Sequence, residues 1–119
     1  MKEEYILVLV TTASKSEAEK ITLNLVEANL IACGNIVGPV TSIFRWADKT
    51  ERVEEFLIIM KTRQDLFAET EEHVKALHSY QVPEILAIPV VEGAKPYLNW
   101  LEKNVTTRKV IEKRKNGRL

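Results

Sequence analysis

The stretch from Ile31 to Trp46 is the feature that most narrows what this chain can become. It reads as one extended segment interrupted only at Gly38-Pro39, and it is more than twice the mean strand length of about 5–6 residues. Proline cannot donate in a strand ladder, so the Gly-Pro pair predicts a bulge or bend rather than an end. Ala47-Asp48-Lys49-Thr50-Glu51 reads as a polar turn and Val53 to Met60 as the returning strand. Two short helices cannot cover a hairpin of this length. Its outer part, with Ile43, Phe44, Trp46, Phe56 and Ile58, is expected to expose apolar surface and open edges in a monomer, and so to drive self-association.

The other elements arrange themselves around that hairpin. Tyr5 to Val10 is a continuous apolar run, the pattern of a central strand covered on both faces. It is too short, and too acidic in its flank, to read as a signal peptide. Ser14-Lys15-Ser16-Glu17 has the form of a capping box, and Ala18, Ile21, Leu25 and Ala28 then mark one helical face. Thr62-Arg63-Gln64-Asp65 predicts a second helix start, with Leu66, Phe67, Thr70, Val74 and Leu77 along its stripe. Ile85 to Val91 is strand-like. Pro96 suits the first turn of a final helix, whose stripe is Tyr97, Leu98, Leu101 and Val105. The order is βαββαβ plus a C-terminal helix. The fold class is therefore α+β, and the simplest architecture is a ferredoxin-like sandwich with both main helices on one face of one sheet.

A length of 119 residues without linker or repeat gives one domain over residues 1–119. No apolar run approaches the roughly 20 residues that span a bilayer, so no membrane role is expected. The single cysteine, Cys33, excludes an intrachain disulfide and suits a reducing cytoplasm. Net charge is zero but uneven: residues 103–119 hold seven basic groups and one acidic, whereas residues 1–102 carry a net −6. Thr106, Thr107 and Glu112 interrupt the basic run and no aromatic is interleaved. It is read as a solvated helical tail, and nucleic acid is not expected as a partner.

Chemistry-bearing residues are sparse. No nucleophile elbow, P-loop, dinucleotide fingerprint or paired-cysteine zinc motif is present, so the chain is not expected to be an enzyme. An acid–base enzyme would have to use His78, Tyr80 or Glu84, assisted by Lys61. Leu77-His78-Ser79-Tyr80-Gln81-Val82-Pro83-Glu84-Ile85 brings an imidazole, a phenol, an amide and a carboxylate into one stiff connection. Either a binding loop or a packed turn satisfies that pattern. Cys33 is either a soft copper ligand or a small buried hydrophobe. Lys61, closing the strand Leu57-Ile58-Ile59-Met60, either serves an anion or points to solvent. Trp46 is either an anchor between chains or one wall of a ligand site.

Several of these segments stand together in a familiar order. Thr11-Thr12, Leu30-Ile31-Ala32-Cys33-Gly34-Asn35-Ile36, Phe44-Arg45-Trp46, Glu55 with Met60-Lys61-Thr62-Arg63, His78-x-Tyr80-x-Val82-Pro83-Glu84-Ile85 and Tyr97-Leu98-Asn99-Trp100-Leu101 resemble the CutA divalent-cation-tolerance proteins across about residues 4–105. The resemblance implies a cytoplasmic, PII-like homotrimer joined by intersubunit β contacts. It also implies association with copper and other divalent metals, weakly bound, with no organic cofactor and no secure catalytic activity. By position it makes Cys33 and His78 the metal residues and places Trp46, Lys61, Tyr80, Gln81, Pro83 and Glu84 around a cleft. The chain departs from the family pattern at Ser79, where proline is usual, and at Gln81, where an acid is usual. Asp48 likewise replaces the usual turn glycine. Loss of the acid at 81 weakens a site for a hard cation, which leaves a PII-like sensor of a small anionic molecule as the alternative function.

Overall fold

A four-stranded antiparallel sheet carries the fold. The computed structural model describes residues 4–106. Its elements are β1 (Tyr5–Thr12), α1 (Lys15–Glu27), β2 (Cys33–Trp46), β3 (Lys49–Arg63), α2 (Phe67–Leu77), β4 (Ile85–Pro89) and α3 (Lys95–Lys103). The strand order is β2-β3-β1-β4, the α+β, ferredoxin-like arrangement expected from the element order. The basic tail, beyond Thr106, lies outside the described residues.

The continuous apolar run of β1 is not covered on both faces. Burial alternates strictly: Ile6, Val8, Val10 and Thr12 are buried, while Tyr5, Leu7, Leu9 and Thr11 are only half-buried. The buried set joins Ile58 and Met60 of β3 beneath Ala18, Ile21 and Leu25 of α1, Val74 of α2 and Leu101 of α3. Full burial of one such aliphatic side chain stabilises by about 1.5–3 kcal/mol. Gly34 lets β2 approach α1 closely, since a Cβ there would meet the Thr22 methyl at 2.5 Å. The register places Leu7 and Leu9 on the opposite face with Leu57, Ile59, Leu86, Ile88 and Val37. In one chain that face is open.

The hairpin is longer than its sequence reading. β3 starts at Lys49 rather than Val53, because the turn is only Ala47-Asp48 and both residues have positive φ, 50° and 63°. Positive φ at both central positions is the type I′ geometry, whose twist matches that of the flanking strands. Neither residue announces it as Asn-Gly does. The Gly38-Pro39 interruption is a register shift between Val37 and Val40, with the Gly38–Pro39 peptide cis. Ile43, Phe44 and Trp46 are exposed as expected, but Ile58 is fully buried and Phe56 packs against the core. Those two residues pair with Val10 and Thr12 of β1, on the side the helices cover.

The helix ends also depart from simple reading. Ser14 caps α1 by accepting the Glu17 N–H at 3.1 Å, and the Glu17 carboxylate reaches back to the Ala13 N–H and across to Ser79. The other end is a Schellman closure, with Leu30 N–H on the Leu25 carbonyl and Asn29 N–H on that of Val26. Asn29 occupies the left-handed position, at φ 60°. Thr62 does not start α2. It lies in β3 and donates to the Leu30 carbonyl at 2.6 Å, and a 3-10 turn over Gln64–Leu66 precedes the helix. β4 stops at Pro89 and α3 at Lys103, so Val105 is buried but not helical.

Candidate functional site

Residues 78–84 are tied to three separate elements. After the last turn of α2, His78 is extended, with φ −79° and ψ 140°, and its N–H still bonds the Val74 carbonyl. Its ring has no solvent exposure. The Tyr80 N–H donates to Nδ1 at 3.0 Å, which leaves the proton on Nε2 to be donated to the Thr11 carbonyl of β1, 2.7 Å away. The Glu17 carboxylate of α1 accepts the Ser79 N–H at 2.7 Å and the Ser79 hydroxyl at 3.1 Å. A proline at 79 would supply neither donor. The Tyr80 hydroxyl reaches Glu55 of β3 at 2.7 Å, and the His78 and Tyr80 rings lie 4.8 Å apart.

These contacts shift ionisation in two opposed ways. Burial pushes the Glu17 carboxyl up, but the two Ser79 hydrogen bonds, the nearby imidazole and the Ala13 N–H together outweigh it and hold the group below the usual glutamate value. Burial, and then the bond to Glu55, push the Tyr80 phenol up to about 12. The loop therefore joins an anionic Glu17 to a neutral phenol. Of the remaining loop residues, Gln81 and Glu84 are exposed and Pro83 is half-buried.

The other sequence candidates lie elsewhere. Cys33 pairs with Lys61 across β2 and β3, on the open sheet face. The Lys61 ammonium lies 3.8 Å from Sγ and also donates to the Asn35 side chain. Thr11, on which His78 rests, is four residues along β1 from Leu7, the partner of Lys61. At about 3.3 Å per residue and about 4.8 Å per strand, Thr11 is roughly 16 Å from Cys33. Cys33 and His78 therefore cannot hold one ion within a chain. Trp46, 61% exposed at the hairpin tip, pairs with Lys49 and is about 40 Å along β3 from Lys61. Two pairs of candidates thus meet inside a chain, Cys33 with Lys61 on the open sheet face and Tyr80 with His78 in the loop after α2. Glu17 and Glu55 complete the group. Sequence reasoning took Glu17 for a cap and met Glu55 only within a motif.

Comparison with known proteins gives this geometry a family. The profile of the CutA1 divalent ion tolerance protein matches residues 6–104. The chain belongs to that family. It is 46% identical over 98 residues to the divalent-cation tolerance protein CutA of Thermus thermophilus, covering 82% of this chain and 95% of that one. The solved structure titled the periplasmic divalent cation tolerance protein CutA of Archaeoglobus fulgidus superposes with a TM-score of 0.84 at 43% identity, over 86% of this chain and 99% of that one. A chloroplastic CutA protein of Arabidopsis thaliana is 39% identical over 83% of this chain and 54% of its own length. No helix among the described residues is long and apolar enough to cross a membrane.

Proposed function

We propose that this chain is a homotrimeric divalent-cation-binding protein, acting by binding rather than catalysis, with copper as its preferred ion. The observation that carries the reading is the open sheet face. Leu86 is 56% exposed, and Ile88 and Val37 are each 44% exposed. They adjoin Leu7, Leu9, Leu57 and Ile59 in a contiguous apolar surface over all four strands. A face of that kind marks an interaction surface, and obligate interfaces between like chains are the most apolar class. The separation of Trp46 from Lys61 adds support, because a cleft containing both requires residues from more than one copy. Relatives named for divalent-cation tolerance supply the ligand class.

The donors fit a soft or borderline ion unevenly. Cys33 is a half-exposed free thiol, the type of donor copper favours, but the neighbouring Lys61 ammonium must turn away before a cation can approach. Among the described residues no cluster of three or more His, Cys, Asp or Glu side chains that could hold a metal ion exists. The same ammonium favours the second reading, a PII-like sensor that takes a small anion beside Lys61, Tyr80 and Gln81. A free thiol fits a reducing compartment, so the location we propose is cytoplasmic, and fractionation of the source cell checks it. Titration with Cu²⁺ and Zn²⁺ of protein purified without chelators, with Cys33→Ser and His78→Ala, tests the metal reading. Cu²⁺ should bind more tightly than Zn²⁺ and each variant should weaken it. Unchanged stoichiometry and affinity in both variants would contradict the assignment, and a thermal shift with nucleotides but not metals would transfer support to the sensor.

A further inference from the structure

His78 and Glu17 carry the parts of a cation site in a closed form. A metal-ligating histidine commonly gives its far N–H to a backbone carbonyl, which fixes the tautomer and makes the other nitrogen a better donor. His78 is held this way by the Thr11 carbonyl at 2.7 Å, leaving a lone pair on Nδ1. Oε2 of Glu17 stands 3.6 Å from Nδ1. Two ligands on one ion at about 2.0–2.2 Å each lie roughly 3–3.5 Å apart, so a closure of a few tenths of an ångström brings these atoms into range. In this structure both lone pairs are met by consecutive backbone N–H groups, that of Tyr80 on Nδ1 at 3.0 Å and that of Ser79 on Oε2 at 2.7 Å. The Ser79 hydroxyl takes the second Glu17 oxygen, and the Tyr80 hydroxyl fastens the segment to Glu55.

We propose that Glu17 and His78 form a divalent-cation site for a borderline ion such as Cu²⁺ or Zn²⁺, and that residues 79–80 are a latch closing it. The inference rests on the cation-binding reading above, but it names a carboxylate that reading did not include and a movement that reading does not need. The imidazole is wholly buried, so the ion enters only after the segment lifts away. Lifting withdraws the Ser79 and Tyr80 N–H groups together. The ion then takes Nδ1 and Oε2, with water completing its coordination, while Nε2 stays on Thr11. Apparent affinity is the intrinsic affinity reduced by the fraction of chains with the latch open. Ser79 is therefore a control point: removing its two donors from Glu17 strengthens cation binding although no ligand is added.

The Cys33→Ser protein, which lacks the soft donor, is the starting material for the test. Cu²⁺ should bind it with the electron-spin resonance signature of one imidazole nitrogen. Amide exchange at Ser79 and Tyr80 should accelerate at least tenfold in the copper-loaded protein. Ser79→Pro, for which the extended backbone of His78 is already suited, should tighten Cu²⁺ binding at least fivefold, whereas Glu17→Gln should weaken it by a similar factor. Imidazole-bound copper with amides 79 and 80 still protected would overturn the latch while leaving the cation reading intact. Copper that binds only when Cys33 is present would overturn the Glu17–His78 site and leave Cys33 as the donor. Absence of copper binding to any form would overturn both.

Discussion

Tyr80→Phe isolates the contact that ties the loop to the hairpin. It removes one hydroxyl whose oxygen lies 2.7 Å from a carboxylate oxygen of Glu55, a residue only 6% exposed. Hydrogen bonds to charged groups contribute about 1.5–3 kcal/mol, and a buried carboxylate deprived of its donor keeps its desolvation cost. The expected loss is about 2 kcal/mol, roughly a thirtyfold change in the folding constant at about 1.4 kcal/mol per factor of ten. Urea unfolding at fixed protein concentration measures it. In a Glu55→Leu background, where no carboxylate awaits a donor, the same substitution should cost less than about 0.5 kcal/mol. Equal costs in the two backgrounds, or a negligible cost in the native one, would show that the Tyr80–Glu55 bond does not hold the loop to the hairpin. The sign with pH follows from the raised phenol. The folded state favours neutral Tyr80, so this contribution is complete below the unfolded value of about 10 and is lost as pH rises through about 12. Tyrosinate absorbance should show a phase near that pH, absent in Tyr80→Phe.

Three further outcomes follow from local geometry. Asn29 holds the left-handed position closing α1, so Asn29→Ala should cost about 1 kcal/mol in equilibrium unfolding while Asn29→Gly remains close to the parent. The turn residues Ala47 and Asp48 are both at positive φ. Replacing them with Asn-Gly should stabilise the fold by about 1 kcal/mol, read as a rise in the unfolding midpoint. The Glu17 carboxyl is held below its unfolded value. Its contribution is therefore present above the unfolded glutamate value of about 4.3 and fades as pH falls through the lower folded one, and Glu17→Gln should flatten that part of the acid unfolding curve.

What could be read from the sequence was what is encoded locally. Extended apolar runs identified the strands, though not the alternating burial of β1, and helical spacing identified the stripes Ala18–Ile21–Leu25 and Thr70–Val74, because period and burial are linked within a helix. The Ala47-Asp48 turn escaped because its positive φ values rest on residues that do not demand them. Thr62 was mistaken for a helix cap because its local pattern fits one, while its hydroxyl serves the Leu30 carbonyl 32 residues away. The candidate site was legible as a segment but not as a group. His78 and Tyr80 are near neighbours in sequence, whereas Glu17 meets Ser79 across 62 residues and Glu55 meets Tyr80 across 25. Only the register of the sheet and the seating of α1 decide those meetings. The family resemblance put Cys33 and His78 in one metal set, and the same register separates them within a chain.

The proposed assembly through the open sheet face underlies the proposed cleft, since Trp46 and Lys61 lie about 40 Å apart along β3 within one chain. Light scattering on the full chain over a range of concentrations, with metal content measured on the same sample, tests it most directly. A homotrimer should give a mass three times the 13.6 kDa of one chain, carrying divalent metal, and reduced toward one chain by Leu86→Glu with Ile88→Glu. A metal-free monomer at micromolar concentration would contradict it.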